Sequence, residues 1–192
     1  MHREPAGRIE SEQLPHALSL KGGRMNKAED RLLRNGERPD HEAFMSFIQE
    51  MDKESPRGVV LISCATIHEL LGRLIELFLV SHKAVEELLD GRFAPLGTFS
   101  ARILAAVSLG LINDAEYRDC ETLRKIRNTF AHDVKVSFRE QRIKDLCRNL
   151  RFFGDTYMNR RIDTEGVFRL SAVAIMQELV NRMYTVAPPC VD

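Results

Sequence analysis

Arg127, Asn128 and His132 are the residues whose types and spacing are best suited to chemistry, and they lie near the end of a predicted helix. At about 100° per residue, Asn128 and His132 are about 40° apart and share a face. Arg127 and His132 are about 140° apart, so they converge only if the helix ends or kinks near Ala131. In that arrangement His132 could transfer a proton at a ribose 2′-hydroxyl or leaving oxygen, while Arg127 stabilises the phosphorane charge.

The same string also has two interpretations without catalysis. Polar residues at a helix end commonly serve as caps, with Asn128 bonded to backbone and His132 lying over the last carbonyls. Arg127 could then pair with Glu69 or Glu121. Binding of a ligand or a protein partner is the third interpretation, and the residues alone leave all three open.

His68 and Glu69 interrupt an otherwise apolar helix. Glu69 could supply the acidic residue of a site near His132, whereas His68 can equally be a core histidine with its hydrogen bonds satisfied. One histidine with no second ligand at metal spacing does not specify a metal site. The sequence has no HExxH, Walker loop, GxSxG or GxGxxG motif, so we expect no metal and no cofactor.

Positive charge is concentrated in one part of the chain. Residues 118–161 contain twelve Lys/Arg and six Asp/Glu, although the formal charge of the whole chain is zero. The helix predicted at residues 139–153 carries a possible anion- or partner-binding face, formed by Arg142, Lys144, Arg148 and Arg151. An ordinary solvated face, or complementarity between subunits, explains the same charges. We find no helix-turn-helix pattern, and we therefore expect no specific DNA contact from this chain alone.

Composition indicates a folded protein of the cytoplasm. Hydrophobic residues make up 44% and charged residues 29% of the 192 residues, which suits one domain. Polar residues interrupt the longest apolar stretch, residues 58–80, so we expect a buried helix there and no membrane span. Four scattered cysteines with no CxxC pair are typical of buried free thiols in a reducing compartment.

Helical spacing of apolar residues predicts an all-α fold, a single helical bundle domain of six to eight helices. Residues 1–24 are expected to be a disordered leader, and residues 25–192 to be the helical domain. Helices are predicted at residues 25–35, after Asp40, after Pro56, at 81–89, from Thr98 or Ser100 to Gly110, from Asn113 or Asp114 to His132, at 139–153 and at 165–184. Residues 134–138 alternate and indicate a short extended link.

A second motif lies between two of these helices. It comprises Pro95, Leu96 and Gly97, then Ser100 and Arg102, followed by the Leu-Gly-Leu-Ile-Asn turn at residues 109–113. We expect the first three residues to form a rigid turn, Ser100 to cap a helix and Arg102 to point back toward acidic residues. Together with Arg127 and His132, this motif resembles the mannitol operon repressor family over residues 56–150. The Arg–x4–His string also resembles the signature of HEPN domains, several of which are ribonucleases that pair two subunits.

The mannitol repressor resemblance implies a small helical fold without a standard DNA-binding domain, and a regulatory role exerted through a protein partner. Our leading hypothesis is accordingly a non-enzymatic repressor-type regulator that acts by protein–protein interaction. The protein partner is not identified by the sequence, and a homodimer is one possible assembly. The alternative is a HEPN-like, metal-independent ribonuclease that uses Arg127, Asn128, His132 and Glu69. A third hypothesis is an immunity-type or scaffold protein that binds a partner through the basic face.

Overall fold

The computed structural model describes residues 41–91, 93–150 and 162–186, and these residues form seven α-helices and no strand. The helices are α1 (His41–Met51), α2 (Pro56–Phe78), α3 (Lys83–Leu89), α4 (Phe99–Ser108), α5 (Asp114–His132), α6 (Gln141–Arg148) and α7 (Thr164–Met183). The predicted all-α class is confirmed. The expected leader, the expected helix at residues 25–35 and Arg151 lie outside the described residues.

Helix α2 is the centre of the fold, and it packs against α4, α5 and α7. Ser55 begins it by accepting a hydrogen bond from the Gly58 amide, and Pro56 occupies its first position, where no amide donor is needed. Eleven of its residues are buried. By length and composition alone α2 could cross a membrane, but 61% of its most apolar 18-residue window is buried inside the bundle, as expected for a core helix.

Side-chain caps begin most of the other helices. His82 accepts from the Ala84 amide at α3, and Asp163 accepts from the Gly166 amide at α7. At α4 the cap is Thr98, which accepts from the Ala101 amide; the expected cap Ser100 is wrong, because it lies exposed within the first turn. Thr98 alone has the extended backbone that an N-cap requires.

Helix α5 begins with a full capping box. Asn113 accepts from the amides of Ala115 and Glu116, and the Glu116 carboxylate accepts from the Asn113 amide. Asn113 and Glu116 thus each use a side-chain oxygen to accept a hydrogen bond from the other's backbone amide, which has no partner within the helix. The Glu116 carboxylate also receives two hydrogen bonds from Arg182 of α7, at 2.8 and 2.9 Å. This ion pair, whose carboxylate is buried and whose arginine is half-buried, joins the start of α5 to the end of α7.

Four arginines satisfy backbone carbonyls at or just beyond the ends of helices other than their own. Arg57 serves the end of α5, Arg102 the end of α3, Arg169 the end of α1 and Arg182 the loop after α4. Terminal carbonyls have no partner within their own helix, so a guanidinium with five donors supplies what the helix lacks. The bundle is thereby cross-linked by polar contacts at its helix ends as well as by its apolar core.

The segment after α5 differs from the predicted extended link. It opens with a turn in which the Lys135 amide donates to the Asp133 carboxylate at 2.9 Å. Val136 and Phe138 are then buried, and Phe138 lies between Phe130 of α5 and Phe168 of α7 with centroid distances of 5.0 and 5.6 Å. The apolar alternation therefore serves to insert two side chains into the core without forming a strand.

The last two predicted helices differ in accuracy. Helix α7 is displaced by one residue from its predicted bounds, whereas α6 ends at Arg148, well before the expected residue 153. Glu140 at the start of α6 makes no side-chain cap, and the Asn149 amide bonds to carbonyls of the last turn. Such short-range closure is common where a helix ends.

Candidate functional site

Arg102 is the centre of the most elaborate polar cluster that the structure describes. Its residue is only 3% exposed, and its guanidinium reaches three backbone carbonyls from three different elements. Nε donates to Leu96 at 2.9 Å, Nη1 to His68 at 3.1 Å and Nη2 to Leu89 at 3.0 Å. A buried charge is tolerated only when it is hydrogen-bonded in this way. Arg102 therefore binds α2, α3 and the motif turn to α4.

Two carboxylates flank the same guanidinium. Glu69 Oε1 lies 3.3 Å from Arg102 Nη1, and Asp90 Oδ1 lies 3.4 Å from Nη2. The Glu69 side chain is 49% exposed and that of Asp90 77% exposed, so both remain in contact with water. They neutralise the buried charge from its solvent side.

The motif residues 95–97 form a tight turn between α3 and α4. The Gly97 amide donates to the Ala94 carbonyl at 3.0 Å, and the Leu96 amide donates to Leu88 at 2.8 Å. Gly91 begins the loop with φ +124°, a conformation that favours glycine. At the tip of the loop, Phe93 is 87% exposed.

His68 lies beside this cluster on α2. Its ring packs against Phe99 at a centroid distance of 5.8 Å, and its Nδ1 lies 3.5 Å from the Glu69 carboxylate. Nε2 is buried and finds no hydrogen-bond partner among the described residues. Burial, and then the positive charges of Arg102 and Arg127, lower the pKa of His68 from 6.5 to about 4. The imidazole is therefore neutral at physiological pH.

The Arg127–His132 string lies on the surface. Arg127 is exposed and donates from Nη1 to Asn128 Oδ1 at 3.2 Å, while His132 is exposed at the last residue of α5. Arg57 holds the end of this helix by donating to the carbonyls of Phe130, Asp133 and Val134. The string thus forms a well-supported helix end.

Glu69 forms no ion pair with the Arg127–His132 string in the described structure. Arg57 at the start of α2 contacts the end of α5, and Glu69 is twelve residues further along α2, about 18 Å at 1.5 Å per residue. Glu69 pairs with Arg102 instead. Likewise Glu121 pairs with Arg124 at 2.8 Å, so neither acid that the sequence offered to Arg127 is its hydrogen-bond partner.

The basic face of α6 is partly neutralised within its own helix. Arg142 and Arg148 are exposed and Lys144 is half-buried, but Arg148 pairs with Asp145 at 3.0 Å. Ile143 and Cys147 are buried on the other side, where α6 packs against α5 and α7. This arrangement is the ordinary one for an amphipathic surface helix.

The described cysteines are buried free thiols. Burial raises the pKa of Cys64 and of Cys147 to about 12, and raises the pKa of Cys120 further. They therefore remain protonated and unreactive. Within the described residues no group of three or more His, Cys, Asp or Glu side chains is placed to hold a metal ion.

Sequence reasoning missed two residues that position these features, Gly72 and Arg57. A Cβ on Gly72 would lie 2.5 Å from Arg102 Nη1, so the guanidinium needs a glycine there. A glycine inside a helix costs about 1 kcal/mol relative to alanine, and its presence was the available signal of a close approach. No sequence pattern around Arg57 predicts that it donates to the carbonyls at the end of α5.

Together these features define a class of protein: an all-α domain built on one central helix, with a buried arginine anchoring a motif loop. The family model described as "Mannitol repressor" matches residues 47–183, and the chain belongs to that family. The resemblance drawn from the motif residues is thus confirmed.

Two curated relatives and one solved structure are similar to this chain. The relatives are the mannitol operon repressors of Escherichia coli strain K12 and of E. coli O6:H1 strain CFT073, each 48% identical over 50 residues. That alignment covers 26% of this chain and 25% of the length of each relative. The structure is the X-ray structure of the MtlR–HPr complex from E. coli, with a TM-score of 0.59 and 22% identity. The match covers 72% of this chain and 99% of the matched chain, and shows a shared fold.

Proposed function

We propose that this protein is a cytoplasmic, non-enzymatic repressor-type transcriptional regulator that acts by binding another protein. The observation that carries the proposal is the family match, which spans residues 47–183 and includes α2 to α7. The turn at residues 95–97 and its anchor Arg102 both lie within that span, and their contacts are those of a structural element.

The surroundings of α6, the most basic helix, support an indirect route to DNA. A recognition helix presents several side chains to base edges in the major groove. Helix α6 has only eight residues, is packed against α5 and α7, and has its outward Arg148 paired with Asp145. A protein partner would then connect this chain to the promoter.

We infer that a protein of the HPr type is the partner. The solved relative is a complex of MtlR with HPr, and this chain has the fold of the matched chain. A regulator that binds such a protein could couple transcription to the state of that partner without reading DNA itself.

The ribonuclease interpretation stays a hypothesis without an observation in its favour. Glu69 is held by Arg102, and Arg127 is hydrogen-bonded to the neighbouring Asn128. Within the described part of the chain the His132 ring forms no ion pair with a carboxylate, and the carboxylate of the neighbouring Asp133 accepts from the Lys135 amide. The third hypothesis, a scaffold or immunity-type protein that binds a partner through the basic face, also stays a hypothesis. Arg148 of that face is paired with Asp145.

Three measurements test the proposal. A reporter driven by a mannitol operon promoter measures repression, calorimetric titration with purified E. coli HPr measures partner binding, and gel-shift with promoter DNA at about 0.15 M salt measures direct DNA binding. We expect repression and HPr binding, but no sequence-specific shift. Tight sequence-specific binding to duplex DNA at that salt concentration would contradict the protein-mediated route.

A further inference from the structure

Helix α4 presents an uncharged face to water. Its ten residues include one charged side chain, Arg102, which is 3% exposed and has its guanidinium bonded to the carbonyls of Leu89 and Leu96. Each of the other six described helices has charged side chains that reach water. Charged residues make up 29% of the chain, so a helix surface without charge is unusual for this protein.

Leu104 lies at the centre of this face. Ser100, Leu104 and Ser108 are four residues apart, so their side chains follow one another in steps of about 40° around the helix. Both serines are exposed, and Leu104 is 60% exposed, the highest value for a large apolar side chain within a described helix. The flanking positions of the helix and its C-cap are also apolar and partly exposed: Ala101, Ala105, Val107 and Leu109.

The absence of charge around Leu104 distinguishes it from an ordinary exposed leucine. Single apolar side chains are common on protein surfaces. Charged residues, however, are depleted from the centre of protein interfaces, because burying an unpaired charge costs free energy. The α4 face can therefore be covered by a second apolar surface without leaving a charge of its own helix unpaired.

Charge also decides which partner fits this face. In a two-fold contact each residue near the axis faces its own copy, so a charged residue there would meet a like charge. A foreign partner is commonly selected by complementary charges, and the α4 face offers none. The face is instead complementary to itself, because Leu104 of one copy can pack over the alanines beside Leu104 of the other.

We propose that α4 is the centre of a two-fold contact between two copies of this chain, with Leu104 of each copy beside the axis. A helix face about 15 Å long and about 10 Å wide is much smaller than the roughly 800 Å² that each partner buries in a stable interface. The dimer is therefore reversible, with an expected dissociation constant of about 10 to 100 µM. The inference goes beyond the proposed function and does not rest on it.

Sedimentation equilibrium of the full chain measures the association at loading concentrations from about 5 to about 500 µM. We expect the wild type to pass from monomer to dimer across this range. Leu104→Glu and Leu104→Lys each place like charges beside the axis, so each should weaken dimerisation at least about tenfold. Mixed in equal amounts, the two variants should form a heterodimer, because glutamate then faces lysine.

Val134→Glu is the matched control for L104E. Val134 is 88% exposed and follows the last residue of α5, at the end of that helix remote from its connection to α4. V134E should therefore dimerise like the wild type. All three variants should keep the wild-type circular dichroism and melting temperature, since each replaces a side chain that lies mostly in water.

Several outcomes would overturn the inference. A wild type that stays monomeric at about 500 µM would do so, and so would a dimer that L104E leaves intact. If the two variants are monomeric and their mixture is also monomeric, residue 104 does not face its own copy and the two-fold contact is wrong. Titration with E. coli HPr should give the same affinity for L104E and the wild type. A monomeric wild type whose HPr binding is lost in L104E would assign the face to that partner instead.

Discussion

The buried guanidinium of Arg102 on α4 lies against Gly72 of α2, in the position that a side chain at residue 72 would otherwise fill. A Cβ on Gly72 would lie 2.5 Å from Nη1 and 2.7 Å from Cζ of Arg102. Because the glycine has no side chain, the guanidinium reaches past α2 to the carbonyls of Leu89 and Leu96. The missing side chain at Gly72 therefore allows Arg102 to hold the turn at residues 95–97 and the end of α3.

Gly72→Ala should destabilise the protein, although alanine is the better helix former. The new methyl group would displace a buried guanidinium from its carbonyl acceptors, and overpacking of this kind typically costs about 2 kcal/mol. Urea unfolding followed by circular dichroism measures the change in the free energy of unfolding.

The control for this substitution is Gly58→Ala in the same helix. There the new Cβ meets chiefly the movable Glu54 carboxylate, at 2.6 Å, and the Ser55 hydroxyl, at 3.2 Å. We expect G58A to be neutral or to stabilise by up to about 1 kcal/mol. Equal effects of the two substitutions would show that Arg102 has room to move.

Removing Arg182 should cost far more than removing a surface arginine. Arg182→Met leaves the Glu116 carboxylate, whose side chain is 5% exposed, without its charge partner, and breaking a buried pair costs about 3 kcal/mol. Arg148→Met, which breaks the exposed pair with Asp145, should cost less than about 1 kcal/mol. Thermal and urea unfolding of both variants measure the difference.

A double substitution checks that the buried charge is the cause. Glu116→Gln combined with R182M removes the uncompensated carboxylate while retaining an acceptor for the Asn113 amide. We expect it to recover part of the stability lost in R182M. A double variant as unstable as the sum of the two single variants would assign the loss to packing instead.

The stability of the protein should fall between pH 6.5 and pH 4 through His68. Burial and two nearby arginines lower its pKa from 6.5 to about 4, so the unfolded chain binds a proton that the folded protein excludes. The contribution is fully present above pH 6.5 and declines as the pH falls. Between pH 7.5 and 5, we expect the wild type to lose about 1 kcal/mol more than His68→Gln, a value reduced for solvent screening because the side chain is 24% exposed.

His132→Gln is the matched control for the pH experiment, since His132 is exposed at the end of α5. H132Q keeps His68 and should therefore retain the His68-dependent loss of stability between pH 7.5 and 5. If H68Q keeps the wild-type loss of stability between pH 7.5 and 5, the titrating group lies elsewhere.

Purified protein should not cleave RNA. The proposed regulator needs no nuclease activity, and Glu69 is paired with Arg102 rather than with a residue of the Arg127–His132 string. Incubation with a mixture of labelled single-stranded RNAs, without added metal, provides the measurement. Cleavage that is lost in His132→Ala while the fold is kept would restore the ribonuclease interpretation.

Much of the local structure could be predicted from residue order, because it depends on contacts between near neighbours. Apolar spacing predicted α2 and α7 closely, Pro56 predicted the start of α2, and Asn113 or Asp114 predicted the start of α5, where Asn113 is the cap. The motif around Pro95 was enough to indicate the family. Where two caps were available, as at Thr98 and Ser100, backbone geometry made the choice.

Only the tertiary structure decided which distant groups meet. Arg102 pairs with Glu69 and Asp90, and Arg57 donates to carbonyls at the end of α5. Arg127 and His132 are exposed on the surface. The physical reason is that a long arginine side chain can reach many acceptors, and helix packing determines which carbonyls lack other partners. Periodicity assigns a residue to a helix and a face, but it does not specify the neighbouring helix.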